Sequence, residues 1–328
     1  MTQPTPGALL GLSGSYWQVC ALHAAAALDL FSALQSQPRT KADLAAQLKA
    51  DPRALGMLLD ALVAMDLARK EPGGYLAADQ TRALLASDSP TTLRPMILHH
   101  HYIMDAWQRL PEAVRTGRAV SRHGFDDPER REAFLMGMFV NAMAIAPSLA
   151  KELDLSGRLS LLDLGGGPGT YAIHFCLKNP GLSATIYDQP GTRPFAEATI
   201  ARFGLSGRVG FVPGDYLADP VPGHYDVAWL SQILHGEGPV ACRDILAKAV
   251  AALNPGGQLF IHEFILDDSG TGPLFPTLFA LNMLVQTRDG QAYTGAELTN
   301  MMAEAGLSDI HRLGFSGPNG SGILAGRK

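Results

Sequence analysis

Residues 161–172 read LLDLGGGPGTYA: an apolar run with one carboxylate, Asp163, and then a loop in which four of the five residues 165–169 are glycine. Backbone stripped of side chains at the start of a helix lets a ligand touch peptide groups directly, which suits part of a nucleotide. The spacing is not that of a dinucleotide fold. Gly165, Gly167 and Gly169 make G-x-G-x-G, and Thr170 stands where G-x-G-x-x-G needs its last glycine. There is also no lysine as in a P-loop. Asp188 lies about twenty residues further on, where a carboxylate can accept hydrogen bonds from two ribose hydroxyls. Gly214-Asp215 adds a third feature of this kind.

These residues need a scaffold. The second half alternates short apolar runs (LSLLDL, SATIYD, RVGFVPGD, YDVAWLSQ, GQLFIHEFIL) with helical stretches near 171–177, 194–203 and 240–253. Such alternation predicts an α/β fold, a doubly wound, mostly parallel sheet covered on both faces. The glycine and carboxylate features then fall at strand C-termini, where these sheets bind ligands. DIHRLGF and GILAGR, joined by SGPNGSG, predict two antiparallel strands closing the sheet.

The first half is helical. Residues 16–34 predict one buried helix. Thr40 with Asp43 and then Asp51-Pro52 predict two further helix starts. Leu55, Leu58, Leu59, Leu62 and Val63 form an apolar stripe at helical spacing. LARKEPGGYLAA predicts a small hairpin. Helix, helix, hairpin is the order of a winged helix.

Composition narrows the partners. The chain has 328 residues and 47% hydrophobic content, with 26 basic against 31 acidic residues, so nucleic acid is not an expected partner. No apolar run reaches the length of a membrane span, and the N-terminus has no signal-peptide pattern. Cys20, Cys176 and Cys242 are widely spaced, with neither a disulfide nor a zinc pattern, which points to the cytoplasm. His99, His100 and His101 are consecutive, and helical neighbours point about 100° apart, so no metal is expected.

In order and spacing, LLDLGGGPG, YDQP, GDY, YDVAWLSQILH and LNPGGQLFIHE resemble the S-adenosylmethionine-dependent small-molecule O-methyltransferases with an N-terminal winged-helix dimerisation domain. The resemblance covers nearly the whole chain. It implies a homodimer with a winged-helix-like dimerisation domain over residues 1–95. A helical connector over 96–155 contributes to the substrate pocket, and a Rossmann-like methyltransferase domain spans 156–328. It implies S-adenosyl-L-methionine as cofactor, with Gly165 and Gly167 facing the methionine part, Asp188 the ribose and Asp215 the adenine amino group. Asp163, Tyr216 and Ser231 complete that site, Ser231 standing where the family often has lysine.

The same likeness makes His235 the general base and Glu263 the carboxylate that orients it. A second orienting carboxylate of the family falls at Ala292 and is missing, and Gly236-Glu237 replace the usual Asp-Trp pair. The small-molecule acceptor should meet Phe134, Met138, Asn141, Phe279, Asn282 and Met283. Methylation of carbon or nitrogen, and cofactor binding without transfer, remain alternatives. A dehydrogenase lacks its third glycine, and a DNA-binding regulator has too few basic residues in its helix.

Overall fold

A computed structural model describes residues 4–122 and 127–328. The chain forms two compact units, Met1–Tyr102 with Asp127–Val140, and Ile103–Asp126 with Asn141–Lys328. Residues 96–155 are thus shared between the units.

In the first unit, helices Pro6–Gly14, Tyr16–Ala27, Leu30–Ala33, Lys41–Leu48 and Pro52–Ala64 precede a hairpin of β1 (Ala68–Glu71) and β2 (Gly74–Ala77). The single helix expected over residues 16–34 is broken. Asp29 turns left-handed, φ 51°, and its carboxylate accepts from Ser32 Oγ and Ser87 Oγ and pairs with Arg94. Polar anchors distant in sequence therefore override local helix propensity. The caps are as expected: Thr40 Oγ1 accepts from Asp43 N and Asp51 Oδ1 from Ala54 N. Leu55, Leu59 and Leu62 are buried with Leu30, Phe31, Leu34, Leu44 and Tyr75.

The second unit is built on a sheet of β3 (Ser160–Leu164), β4 (Ser183–Asp188), β5 (Val209–Pro213), β6 (Tyr225–Ser231), β7 (Leu253–Leu266), β8 (Tyr293–Thr294), β9 (Ser308–Ser316) and β10 (Ser321–Arg327). The order is β5-β4-β3-β6-β7-β10-β9, with β8 beside β7. The β5-to-β7 portion is parallel, and β10 and β9 are antiparallel. Apolar clusters fill both faces, one centred on Leu230, Ile245 and Leu259, the other on Ile173, Phe175 and Trp229. The order reverses between β3 and β6, so the loops after these strands open the crevice where such sheets take ligands.

Among the described residues no single helix is long and apolar enough to cross a membrane. One bent pair, Pro128–Met143 with Ala146–Glu152, reaches that length only when taken together.

Candidate active site

The glycine loop leaves β3 with Gly165, Gly167 and Gly169 at φ 67°, 55° and 79°, a region open to glycine at little cost. A Cβ on Gly165 would stand 2.6 Å from Ile233 Cγ2, and one on Gly166 2.5 Å from Asp163 Cγ. At Gly167 an added Cβ would meet nothing within 4 Å. The loop is therefore closed against the fold on one side and accessible on the other.

Asp163 lies beneath it, 1% exposed. Its Oδ2 accepts from Ala172 N at 3.3 Å, while Oδ1 has no partner among the described residues. Burial pushes this carboxyl up to about 7, against 3.8 ordinarily. The folded chain therefore favours the protonated form. This contribution to stability is complete below pH 3.8 and is lost as pH rises through about 7. Asp163→Asn removes the titration, so its melting temperature should fall less between pH 4 and 8 than that of the parent. Identical slopes in calorimetric scans would reject the assignment.

Asp188, at the end of β4, grips the loop. Its Oδ2 accepts from Gly167 N at 2.7 Å, and its Oδ1 from Gln189 N at 2.6 Å and Thr192 Oγ1 at 3.2 Å. Burial raises its pKa, and these donors oppose the rise. Asp215 follows β5, its Oδ1 accepting from Leu217 N and its N–H donating to Asp219. Burial, with the charges of Glu237, Asp188 and Asp215, lifts the Tyr216 phenol well above its usual range. These carboxylates therefore act on one place. Ser231, at the end of β6, has its hydroxyl 2.9 Å from Nδ1 of His262. Sequence reading missed this second histidine. It is 1% exposed, stacks on Trp229, and is held down to about 4 by burial.

His235 sits in a single 3-10 turn, Leu234–Gly236, just after β6. Its Nδ1 is 2.7 Å from Glu263 Oε2. Glu263, 2% exposed on β7, also accepts from Leu234 N at 3.0 Å and His235 N at 3.4 Å through Oε1, and from Phe264 N through Oε2. One carboxylate thus holds both the ring and the turn that carries it. With Nδ1–H donating to Glu263, the neutral ring presents Nε2 as an acceptor. Nε2 makes no hydrogen bond to a described residue. Phe279 meets the imidazole edge-to-face at 4.7 Å, and Phe264 lies nearly parallel at 6.2 Å. Ala292 is buried without a charge.

The expected pocket residues divide between the units. Phe134 and Met138 belong to the first, where Phe134 meets His99 edge-on. Asn141, Phe279, Asn282 and Met283 belong to the second. There Asn282 Oδ1 accepts from Trp107 Nε1 at 2.9 Å, and Met283 is buried. Of the six, Phe279 meets the His235 ring edge-on. Phe264 and Phe275, which pack on Phe279, were not foreseen, although Phe264 directly follows Glu263. His101 meets His23 edge-on and His99 meets Phe134, while the His99 and His100 rings lie 6.1 Å apart. Among the described residues no group of three or more potential ligands is placed to hold a metal.

A family model for the O-methyltransferase domain matches residues 107–308, and one for the O-methyltransferase dimerisation domain matches 10–87. The chain belongs to the O-methyltransferase family. It is 34% identical to the 3-hydroxy-5-methyl-1-naphthoate 3-O-methyltransferase of Streptomyces sahachiroi, over 98% of this chain and 95% of that one. It is 32% identical to the tetracenomycin polyketide synthesis 8-O-methyl transferase TcmO of Streptomyces glaucescens, over 98% and 97%. Human N-acetylserotonin methyltransferase, solved in complex with SAM, superposes with a TM-score of 0.86 at 26% identity, over 100% and 99%. This O-methyltransferase family member is an S-adenosylmethionine-dependent enzyme of Rossmann-like fold. The residues fit that cofactor: a loop whose glycines admit close approach, and Asp188 fixed at its edge.

Proposed function

We propose that the protein methylates a hydroxyl of a small aromatic or polyketide-like acceptor, with His235 as general base. The observation that carries this reading is the His235–Glu263 pair at 2.7 Å, with Nε2 bonded to none of the described residues. The activities named for the two Streptomyces relatives support the acceptor class.

In this reading S-adenosylmethionine supplies an electrophilic methyl group on a sulfonium. His235 Nε2 would take the hydroxyl proton as the acceptor oxygen takes up that methyl group, with S-adenosylhomocysteine as the other product. Glu263 stabilises the imidazolium that results and keeps the ring from turning. Gly165, Gly167, Asp163, Asp188, Asp215, Tyr216 and Ser231 hold the cofactor. Asn141, Phe279, Asn282 and Met283 of the second unit line the acceptor site. Formation of S-adenosylhomocysteine from a panel of phenols and naphthols tests the activity. No turnover with any hydroxyl compound, alongside turnover of an amine or a ring carbon, would reject O-methylation.

The first unit serves as a winged-helix dimerisation module. Helix Pro6–Gly14 buries no residue, and Leu9, Leu10, Leu12, Tyr16, Trp17 and Val19 are all exposed in the single chain. A surface of this kind calls for a second copy. Light scattering should give twice the 34.9 kDa chain mass. Trp17→Asp with Leu10→Asp should shift the protein toward monomer. A monomeric parent at micromolar concentration, or tight duplex DNA binding at physiological salt, would contradict the module. The three cysteines are free thiols, which supports a cytoplasmic setting.

A further inference from the structure

The 3-10 turn that carries His235 has little to hold it from within. Gly236 N–H donates to Ile233 O and Glu237 N–H to Leu234 O, both at 3.1 Å. Glu263 fastens the N–H side of the turn and the ring. The carbonyl side is held by two residues from other elements. Cys242, on helix Pro239–Ala251, is fully buried, and its thiol donates to Leu234 O at 3.2 Å. Tyr293, on β8, is 2% exposed. Its hydroxyl donates to Glu237 O at 2.5 Å and lies 3.4 Å from the Cys242 sulfur. The two carbonyls stand on either side of His235 in the chain.

The loop before β8 closes on the same turn. A Cβ on Gly290 would stand 2.5 Å from His235 O, and one on Gly238 2.9 Å from Asp289 Cβ. Backbone against backbone leaves the His235 peptide no room to swing toward this loop. β8 itself pairs with Ile265 and Leu266 of β7, the strand that also carries Glu263. One strand therefore sets both the carboxylate on the ring and the phenol on the turn. A buried tyrosine needs a partner for its hydroxyl, and this one finds it on the turn of His235. Such a hold matters for proton transfer, where a misplacement of 1 Å can cost about 10²-fold. Among the described residues the imidazole bonds to one carboxylate, and the buried Ala292 beside Tyr293 brings no second.

We infer that Tyr293 on Glu237 O, together with Cys242 on Leu234 O, is a positioning residue that fixes the backbone of the His235 turn, so that the single carboxylate of Glu263 suffices to aim Nε2. The inference rests on the reading of His235 as general base. Burial raises the Tyr293 phenol above its ordinary range and pushes the Cys242 thiol up to about 11, so both remain donors as the solution turns alkaline.

Tyr293→Phe keeps the ring and removes the donor. At neutral pH its kcat for a phenol that the parent methylates should fall about 3–10-fold, the range of one neutral hydrogen bond. S-adenosylmethionine affinity, measured by calorimetry, should be unchanged. The deficit should shrink as pH approaches the acceptor's own pKa, because an ionised acceptor needs no base. In a His235→Ala background the substitution should change nothing further. Cys242→Ala should act in the same direction, and Cys242→Ser, which keeps a donor, should restore the rate. This pair serves if Tyr293→Phe does not fold. The ring is followed independently of turnover by the NMR signal of His235 Cε1–H, assigned from its loss in His235→Ala. Tyr293→Phe and Cys242→Ala should shift or broaden that signal.

A ring signal identical in the parent and both variants overturns the inference whatever the kinetics. Parent turnover in both variants overturns it as well, provided His235→Ala is slow. A deficit that persists at alkaline pH, or that recurs in the His235→Ala background, would make Tyr293 a structural residue and overturn it too. Weakened S-adenosylmethionine binding would do the same. Should His235→Ala keep full turnover, or no hydroxyl compound turn over, while the ring signal moves, the base reading alone fails and the hold on the turn stands.

Discussion

His235→Ala is expected to lower the methyl-transfer rate about 10²–10⁴-fold, the usual contribution of a positioned general base. Cofactor affinity should barely change, because the glycine loop, Asp188 and Asp215 lie on other strands and none bonds to the imidazole. A phenol with a pKa near ~10 is ionised to about one part in a thousand at neutral pH. In the variant each added pH unit therefore raises the reactive fraction about tenfold until the acceptor itself titrates. The parent, with Nε2 taking the proton, should show a flatter profile. Glu263 acts through His235, so the double variant should be little worse than His235→Ala alone. Glu263→Ala should in addition lower the melting temperature, since it strips partners from the N–H groups of Leu234 and Phe264. Full turnover of His235→Ala at neutral pH, with chemistry rate-limiting, would leave catalysis to proximity and orientation.

Asp188→Ala should weaken S-adenosylmethionine binding by about 10–150-fold, the range of one charge-assisted hydrogen bond of about 1.5–3 kcal/mol. The observed loss should lie toward the upper end for a reason specific to this fold. The carboxylate that would accept from the ribose also accepts from Gly167 N at 2.7 Å, so its removal releases the loop as well as the ligand. Asp188→Asn keeps an oxygen for Gly167 but loses the charge, and should fall between alanine and parent. Calorimetry with S-adenosylmethionine decides the matter, and NAD should bind none of the three proteins. Equal affinity in parent and alanine variant would remove Asp188 from the cofactor site.

What could be read from the residues in order is what local chemistry determines. Helix starts at Thr40 and Asp51 follow from side-chain oxygens within three residues of the donors they satisfy. The strands follow from apolar runs bounded by turn residues, and the hairpins from PGG and SGPNGSG. The glycine loop and Asp188 were visible as spacing, and the parallel pairing of β3 with β4 turns that spacing into a hydrogen bond. Ala292 could likewise be read as an absent charge.

Tertiary structure decided whatever depends on partners far apart along the chain. The break at Asp29 comes from Ser87 and Arg94, and no window around residue 29 contains them. Phe279 was expected in the pocket, but its packing with Phe264 around His235 joins a strand and a helix that only the fold brings together. A buried His262 bonded to Ser231, and a Tyr293 phenol bonded to the turn of His235, carry no periodicity or motif of their own. Patterning and capping record the free energies of neighbouring residues. The orientation of a base and the satisfaction of a buried oxygen depend on which distant segments fold against them.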